Sequence, residues 1–239
     1  MNSESRPNWL PTAVENDPGP PRNFAPENTQ SYAVMLGSGG VNPTPHRNGP
    51  SGAIIANDAT YIIDAGEGIW RGLGWAAVSH HGMLQQHFRP RRINRLFLTH
   101  LPSDHTIGLP AIWLKSWIFG RKEPFKVYGP IGTQKLCEHL IEAYHGDLKE
   151  RTYGPEGSPE KRTGWQIEVH EIKETGLIYE DDNVKVEAYH HLHGHFRQNF
   201  AYRFSTPDRV IAWAGDGRVE GDLDKAAREA DVFFCELST

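Results

Sequence analysis

Thiols are scarce in this chain. Cys137 and Cys235 are its two cysteines, and neither sits in a Cys-x-x-Cys or Cys-x-His pattern, so neither a disulfide framework nor a thiolate zinc site is expected. Long apolar runs are missing too. No stretch could span a bilayer, and Met1 is followed by polar, Pro-rich sequence rather than the apolar core of a signal peptide, so a cytoplasmic protein with no membrane partner is expected. Positive charge is in short supply as well: 25 Lys and Arg against 30 Asp and Glu give a formal charge of -5. That balance speaks against nucleic acid as a partner. The cluster Arg89, Arg91, Arg92 and Arg95 reads as a solvated loop rather than a binding face.

What is present is a globular composition, 38% hydrophobic and 23% charged over 239 residues, enough to bury a real core. Residues 1–30 are the exception. Pro11, Pro18, Pro20, Pro21 and Pro26 lie there among Asn, Glu and Ser with little apolar content, which reads as an extended or disordered arm. The rest, 31–239, reads as one domain. Tyr32 to Leu36, Gly52 to Ala56 and Thr60 to Asp64 are strands, the last two joined at Asn57-Asp58 as a hairpin. Helices are expected from Ile69 to about Met83, from Leu109 to Phe119, and from Thr133 to about Tyr144. Phe125 to Tyr128 is a strand ending in a Gly129-Pro130 turn, and residues 150–164 read as loop. Strands then recur over 165–172, 176–179, 184–190, 200–204 and 209–214, with a helix over 222–230 and a last strand over 231–236. Strands with helices between them in two clusters imply a layered α/β fold.

The chemistry gathers in two places. Leu96-Phe97-Leu98 is a short run buried on both faces, and it stops in Thr99-His100-Leu101-Pro102-Ser103-Asp104-His105, a polar loop with two imidazoles and a carboxylate. Such side chains at the end of a buried strand suit zinc or a similar ion. The second place is a loop in which His190, His191, His193 and His195 crowd together, for which metal binding is the natural reading and a titrating surface patch the plain one. Gly215-Asp216-Gly217 ends a further strand.

The first stretch, with its continuation Thr106-Ile107-Gly108-Leu109-Pro110, resembles the His-x-His-x-Asp-His signature of the metallo-β-lactamase superfamily. The series Leu36-Gly37-Ser38-Gly39, Pro43, Pro45, Arg47, Gly49-Pro50-Ser51 and Asp64-Ala65-Gly66-Glu67-Gly68 is similar to the opening of its ribonuclease Z-like and arylsulfatase-like branch. The resemblance implies an αββα sandwich lacking its C-terminal elements. It also implies a metal-dependent hydrolase using a metal-bound hydroxide on an ester, phosphodiester or sulfate ester. One ion would be held by His100, His193 and Asp216, the other by Asp104, His105 and Asp216. Asp104 is the candidate catalytic residue. Zinc is the expected metal, as one or two ions, with manganese the alternative.

Two departures stand beside the match. Pro102 occupies the position of the signature's second His, and proline offers no donor atom. The last strand ends in Cys235-Glu236 where the branch has His-Glu, and a further ligand His expected later in the family is not reached by Thr239. His191 and His195 are candidates to substitute for a lost ligand. A degenerate or truncated member serving as a binding or assembly module is the alternative function. No counterpart of an RNA-gripping arm is evident, so a small anionic or ester substrate is expected. Self-association is expected through an exposed edge at Val232, Phe233 and Phe234.

Overall fold

A computed structural model describes residues 30–236, apart from 43, 80, 81, 156, 158–161, 197 and 219. Except for Gln30, the expected Pro-rich arm over 1–30 lies outside the described residues. Two sheets carry the fold. The first runs β1 (Ser31–Gly37), β2 (Ser51–Ala56), β3 (Ala59–Ile63), β4 (Arg95–Phe97), β5 (Phe125–Pro130), β6 (Ile167–Ile172), each beside the next. β1, β2 and β3 are antiparallel, the last two joined by the tight turn Asn57-Asp58, while β3 to β6 are parallel and joined through helices. The second sheet has the order β11-β10-β9-β8-β7, from β7 (Gly176–Glu180), β8 (Lys185–His190), β9 (Phe200–Ser205), β10 (Val210–Trp213) and β11 (Val232–Phe234). The sheets stack, with helices on both outer faces, which is the αββα sandwich.

Side-chain alternation builds those layers. In β4, Leu96 faces the outer cluster and Phe97 the space between the sheets. The outer cluster receives α1 (Ile69–Val78), α3 (Leu109–Ile118), α4 (Thr133–Ala143) and α5 (His145–Tyr153). It buries Trp113 and Trp117 completely, as expected of two large side chains four apart on one helix face. Between the sheets, Phe97 sits against the rings of Tyr128 at 4.8 Å, Phe204 at 5.4 Å and Tyr202 at 5.9 Å. A small third cluster of Ala201, Ala214, Leu223 and Ala226 seats α6 (Leu223–Ala227) on the far side.

Four expectations about local structure change. Ser103–Thr106 is a short helix, α2, rather than a loop, with Pro102 at its N-cap. α1 stops at Val78, where Ser79 turns back to bond the Trp75 carbonyl. Gly129 and Pro130 belong to β5 rather than to a turn. The segment read as loop from residue 150 begins inside α5, whose sequence is polar but which buries Leu148 and Thr152 against the core. Tertiary contact supplies what helix periodicity does not announce there. Arg95 is also no solvated loop residue, because its guanidinium bonds Asp181 at 2.7 Å across the two sheets. β11 is the edge of its sheet, with Val232 41% and Phe233 39% exposed. No helix among the described residues is long and apolar enough to cross a membrane.

Candidate metal centre

β3 and β4 run parallel, so their C-terminal ends open at the same edge, and Asp64 and Thr99 meet there. Asp64 takes a left-handed backbone conformation, φ 53, which Asp tolerates better than most residues. Its carboxylate is buried and accepts from the Thr99 N–H at 2.8 Å, the Thr99 hydroxyl at 2.8 Å and His105 Nδ1 at 2.9 Å. With the Thr99 hydroxyl donated to Asp64, His100 Nδ1, 2.9 Å from that oxygen, must be the donor of its own pair. Both imidazoles therefore turn their Nε2 atoms away from this network. Those two Nε2 atoms are buried and have no hydrogen-bond partner.

They face two donor groups. His100, His193 and Asp216 bring ligand atoms within 4.8 Å of one another, and so do Asp104, His105 and Asp216. His105 Nε2 stands 3.2 Å from Asp216 Oδ2 and 3.7 Å from Asp104 Oδ2. Two donors on one tetrahedral zinc stand about 3.3 Å apart. Burial pulls the His105 imidazole toward its neutral form, yet the carboxylates of Asp64 and Asp216 outweigh it and raise the pKa to about 10. Burial, with cationic His105 beside it, lowers His100 to about 4. The carboxylates thus demand positive charge at one point, and a divalent ion meets that demand with both imidazoles neutral. The orphaned nitrogens, the spacing and the chemistry of the donors all fit such an ion.

Asp216 reaches this place because its strand ends in glycine. Gly215 has φ 65, and a Cβ there would lie 2.7 Å from the Thr99 hydroxyl; any other residue would push the loop out. On the far side the Asn199 amide donates to the Asp216 carbonyl at 2.7 Å and lies 2.9 Å from His191 Nε2.

No family model matches the chain. Its curated relatives include the ribonuclease Z of Bacillus cereus (strain B4264), 30% identical over 214 residues, covering 86% of this chain and 61% of the relative. The ribonuclease Z of Methanocaldococcus jannaschii is 31% identical over 173 residues, 72% of this chain and 46% of the relative. Among solved structures, human tRNase Z, short form, superposes with a TM-score of 0.64 at 22% identity, over 84% of this chain and 76% of that one. Zn(2+)-bound PqqB from Methylobacterium extorquens gives 0.58 at 15%, over 85% and 70%. The chain belongs to the metallo-β-lactamase superfamily, on its ribonuclease Z-like branch. It spans less than two thirds of the length of these curated relatives.

Membership corrects one expectation outright. The acidic balance spoke against nucleic acid, yet the relatives are ribonucleases. Net charge is a sum over the whole surface, and a partner meets only one part of it. A cavity of about 390 Å³ lies beside Asp104, and its lining includes Arg47, Arg71, Glu67 and Ile107. Arg71 is held toward it by a 2.8 Å bond to the Asn48 side chain.

Of the histidines in the β8–β9 loop, His193 joins the donor groups, its ring 5.2 Å from that of His100. His191 is fully buried against Asn199, and His195 is exposed. Neither belongs to the two donor groups among the described residues. His190 packs edge-on against Phe200. Three further residues carry weight that the sequence did not assign. Asp64 and Thr99 orient both imidazoles; the one signal was a carboxylate closing an otherwise apolar strand. Glu236 lines a cavity of about 300 Å³ together with His105 and Asp216. Burial, reinforced by the Asp216 charge, pushes its carboxyl pKa up.

Proposed function

We propose that this chain is a metal-dependent phosphodiesterase that acts on RNA. The observation that carries the reading is the pair of donor groups sharing Asp216, with a cavity at Asp104 whose lining includes Arg47 and Arg71 beside Glu67. The ribonuclease names of the relatives support phosphodiester chemistry. They lend no support to the ester or sulfate-ester substrates also compatible with the signature. Zinc is the proposed ion, held by His100, His193 and Asp216 on one side and Asp104, His105 and Asp216 on the other.

A bound ion of this kind supplies Lewis acidity, acidifying water and neutralising charge on a phosphoryl oxygen. The protein supplies the rest. Asp64 and Thr99 hold the two imidazoles with their Nε2 atoms aimed at the donor groups. Asp104, part-buried at the mouth of the cavity, accepts a proton from the attacking water and orients it. Arg47 and Arg71 attract the anionic backbone and hold a phosphate beside Asp104.

The test uses zinc-loaded protein on bis(p-nitrophenyl) phosphate and on a precursor transfer RNA. Hydrolysis of either that is abolished by chelation and by Asp104→Ala supports the reading. Metal-replete protein that cleaves neither substrate sinks it and favours a binding or assembly role.

A further inference from the structure

The two flanks of the donor groups differ in chemistry. Beside Asp104 lie arginines; beside His193 lies an aromatic ring. Phe196 folds back over the turn from His193, its N–H bonding the His193 carbonyl at 2.9 Å. Gly194, at φ 53, permits the turn. The Phe196 ring is stacked on the His193 imidazole, with centroids 5.4 Å apart and planes 7° from parallel. It meets His100 edge-on at 6.0 Å. A phenyl ring that merely sealed the histidines from water would itself be covered. Phe196 is instead 49% exposed on this rim of the donor groups; Leu192 in the same loop is 42% exposed and Ile131, just after β5, 51%. The Gln198 side chain accepts the Ile131 N–H at 2.9 Å, which ties this rim to the end of β5.

We propose that Phe196 is a stacking platform for a nucleobase next to the phosphodiester, so that the substrate lies with a base on the Phe196 side and further phosphates on the Arg47 and Arg71 side. The inference rests on the phosphodiesterase reading for its substrate class. Its physical ground is separate: an open aromatic face, preset by stacking on an imidazole, gains from a base without reading which base it is.

The experiment compares binding of adenosine monophosphate and ribose 5-phosphate to the zinc-loaded protein by calorimetry. The two probes share phosphate and sugar and differ in the base. The wild type should favour adenosine monophosphate by on the order of tenfold. Phe196→Ala should bring that ratio close to one, and Phe196→Trp should restore it. Zinc stoichiometry and melting temperature of each variant report that the fold and the centre persist. Equal affinity of the two probes in the wild type, no binding of adenosine monophosphate, or a ratio that survives Phe196→Ala would each overturn the proposal. Turnover of bis(p-nitrophenyl) phosphate is scored independently. If neither this diester nor the precursor transfer RNA is cleaved while the base preference depends on Phe196, the hydrolase reading fails and the platform stands. If turnover is present without a preference, the platform fails alone.

Discussion

Asp64 Oδ2 and His105 Nδ1 lie 2.9 Å apart, and both side chains are 1% exposed. One carboxylate, closing β3, therefore sets the tautomer of an imidazole on α2 and, through the Thr99 hydroxyl, that of His100. Partners of this kind behind a ligand contribute about 10- to 100-fold in metal affinity. Asp64→Asn keeps the left-handed backbone, which Asn also tolerates, but offers an amide N–H where an acceptor is needed. We expect zinc affinity to fall by about that factor, measured by titration against a competing chelator. Unchanged affinity would mean that packing alone aims the two rings.

Asp216 serves both donor groups and His193 one. Asp216→Ala should therefore abolish bound metal, while His193→Ala should spare an ion at Asp104 and His105. Metal content after dialysis separates the two outcomes. Loss of all metal from His193→Ala would show that the ions bind only as a pair.

Pro102→His should tighten binding at the His100 and His193 group. Pro102 has φ -55 and ψ 154, a conformation that His adopts freely, so the exchange leaves the entry to α2 intact. The added imidazole supplies a donor where the ring of proline has none. A zinc titration should resolve one clearly tighter site; an isotherm like the wild type's would place residue 102 beyond reach of the ion.

Away from the centre, Asp181 accepts bonds from Tyr61 at 2.8 Å, Tyr179 at 2.6 Å and Arg95 at 2.7 Å. Burial pushes its pKa up, but these bonds and the Asn183 N–H outweigh it, and the pKa is lowered from 3.8. A depressed carboxylate stabilises the fold fully above its unfolded pKa and loses that contribution as pH falls through the folded one. Asp181→Asn should cost about 1–3 kcal/mol at pH 7, and the gap to wild type should begin to narrow below about pH 4 and close only below the depressed folded pKa. Urea unfolding at both pH values measures it; a gap independent of pH would assign the effect to shape rather than charge.

Much of this was legible in the chain. Leu96-Phe97-Leu98 announced a strand buried on both faces, because only such a strand needs apolar side chains at consecutive positions. Trp113 and Trp117 announced a core-facing helix stripe, and both are buried. The candidate ligands His100, Asp104, His105, His193 and Asp216 were nameable because their side chains carry donor atoms and because the resemblance to the superfamily signature selects these among the other donors, His193 from four crowded histidines. Less was legible where the cause is a neighbour distant in sequence. Leu148 and Thr152 fix α5 through contact with the core, which the polar segment does not itself display.

The same division decides the centre. Residue type alone determined which atoms here can bind a metal, and that Pro102 cannot. Tertiary structure decided which of four crowded histidines faces His100, since His191 turned inward to Asn199 and His193 did not. It also decided that Asp64 stands behind both imidazoles, 35 residues from Thr99 and 41 from His105. Parallel pairing of β3 and β4 brings those segments together. A hydrogen bond acts over about 3 Å, so it follows the sheet register that the fold creates rather than distance along the chain.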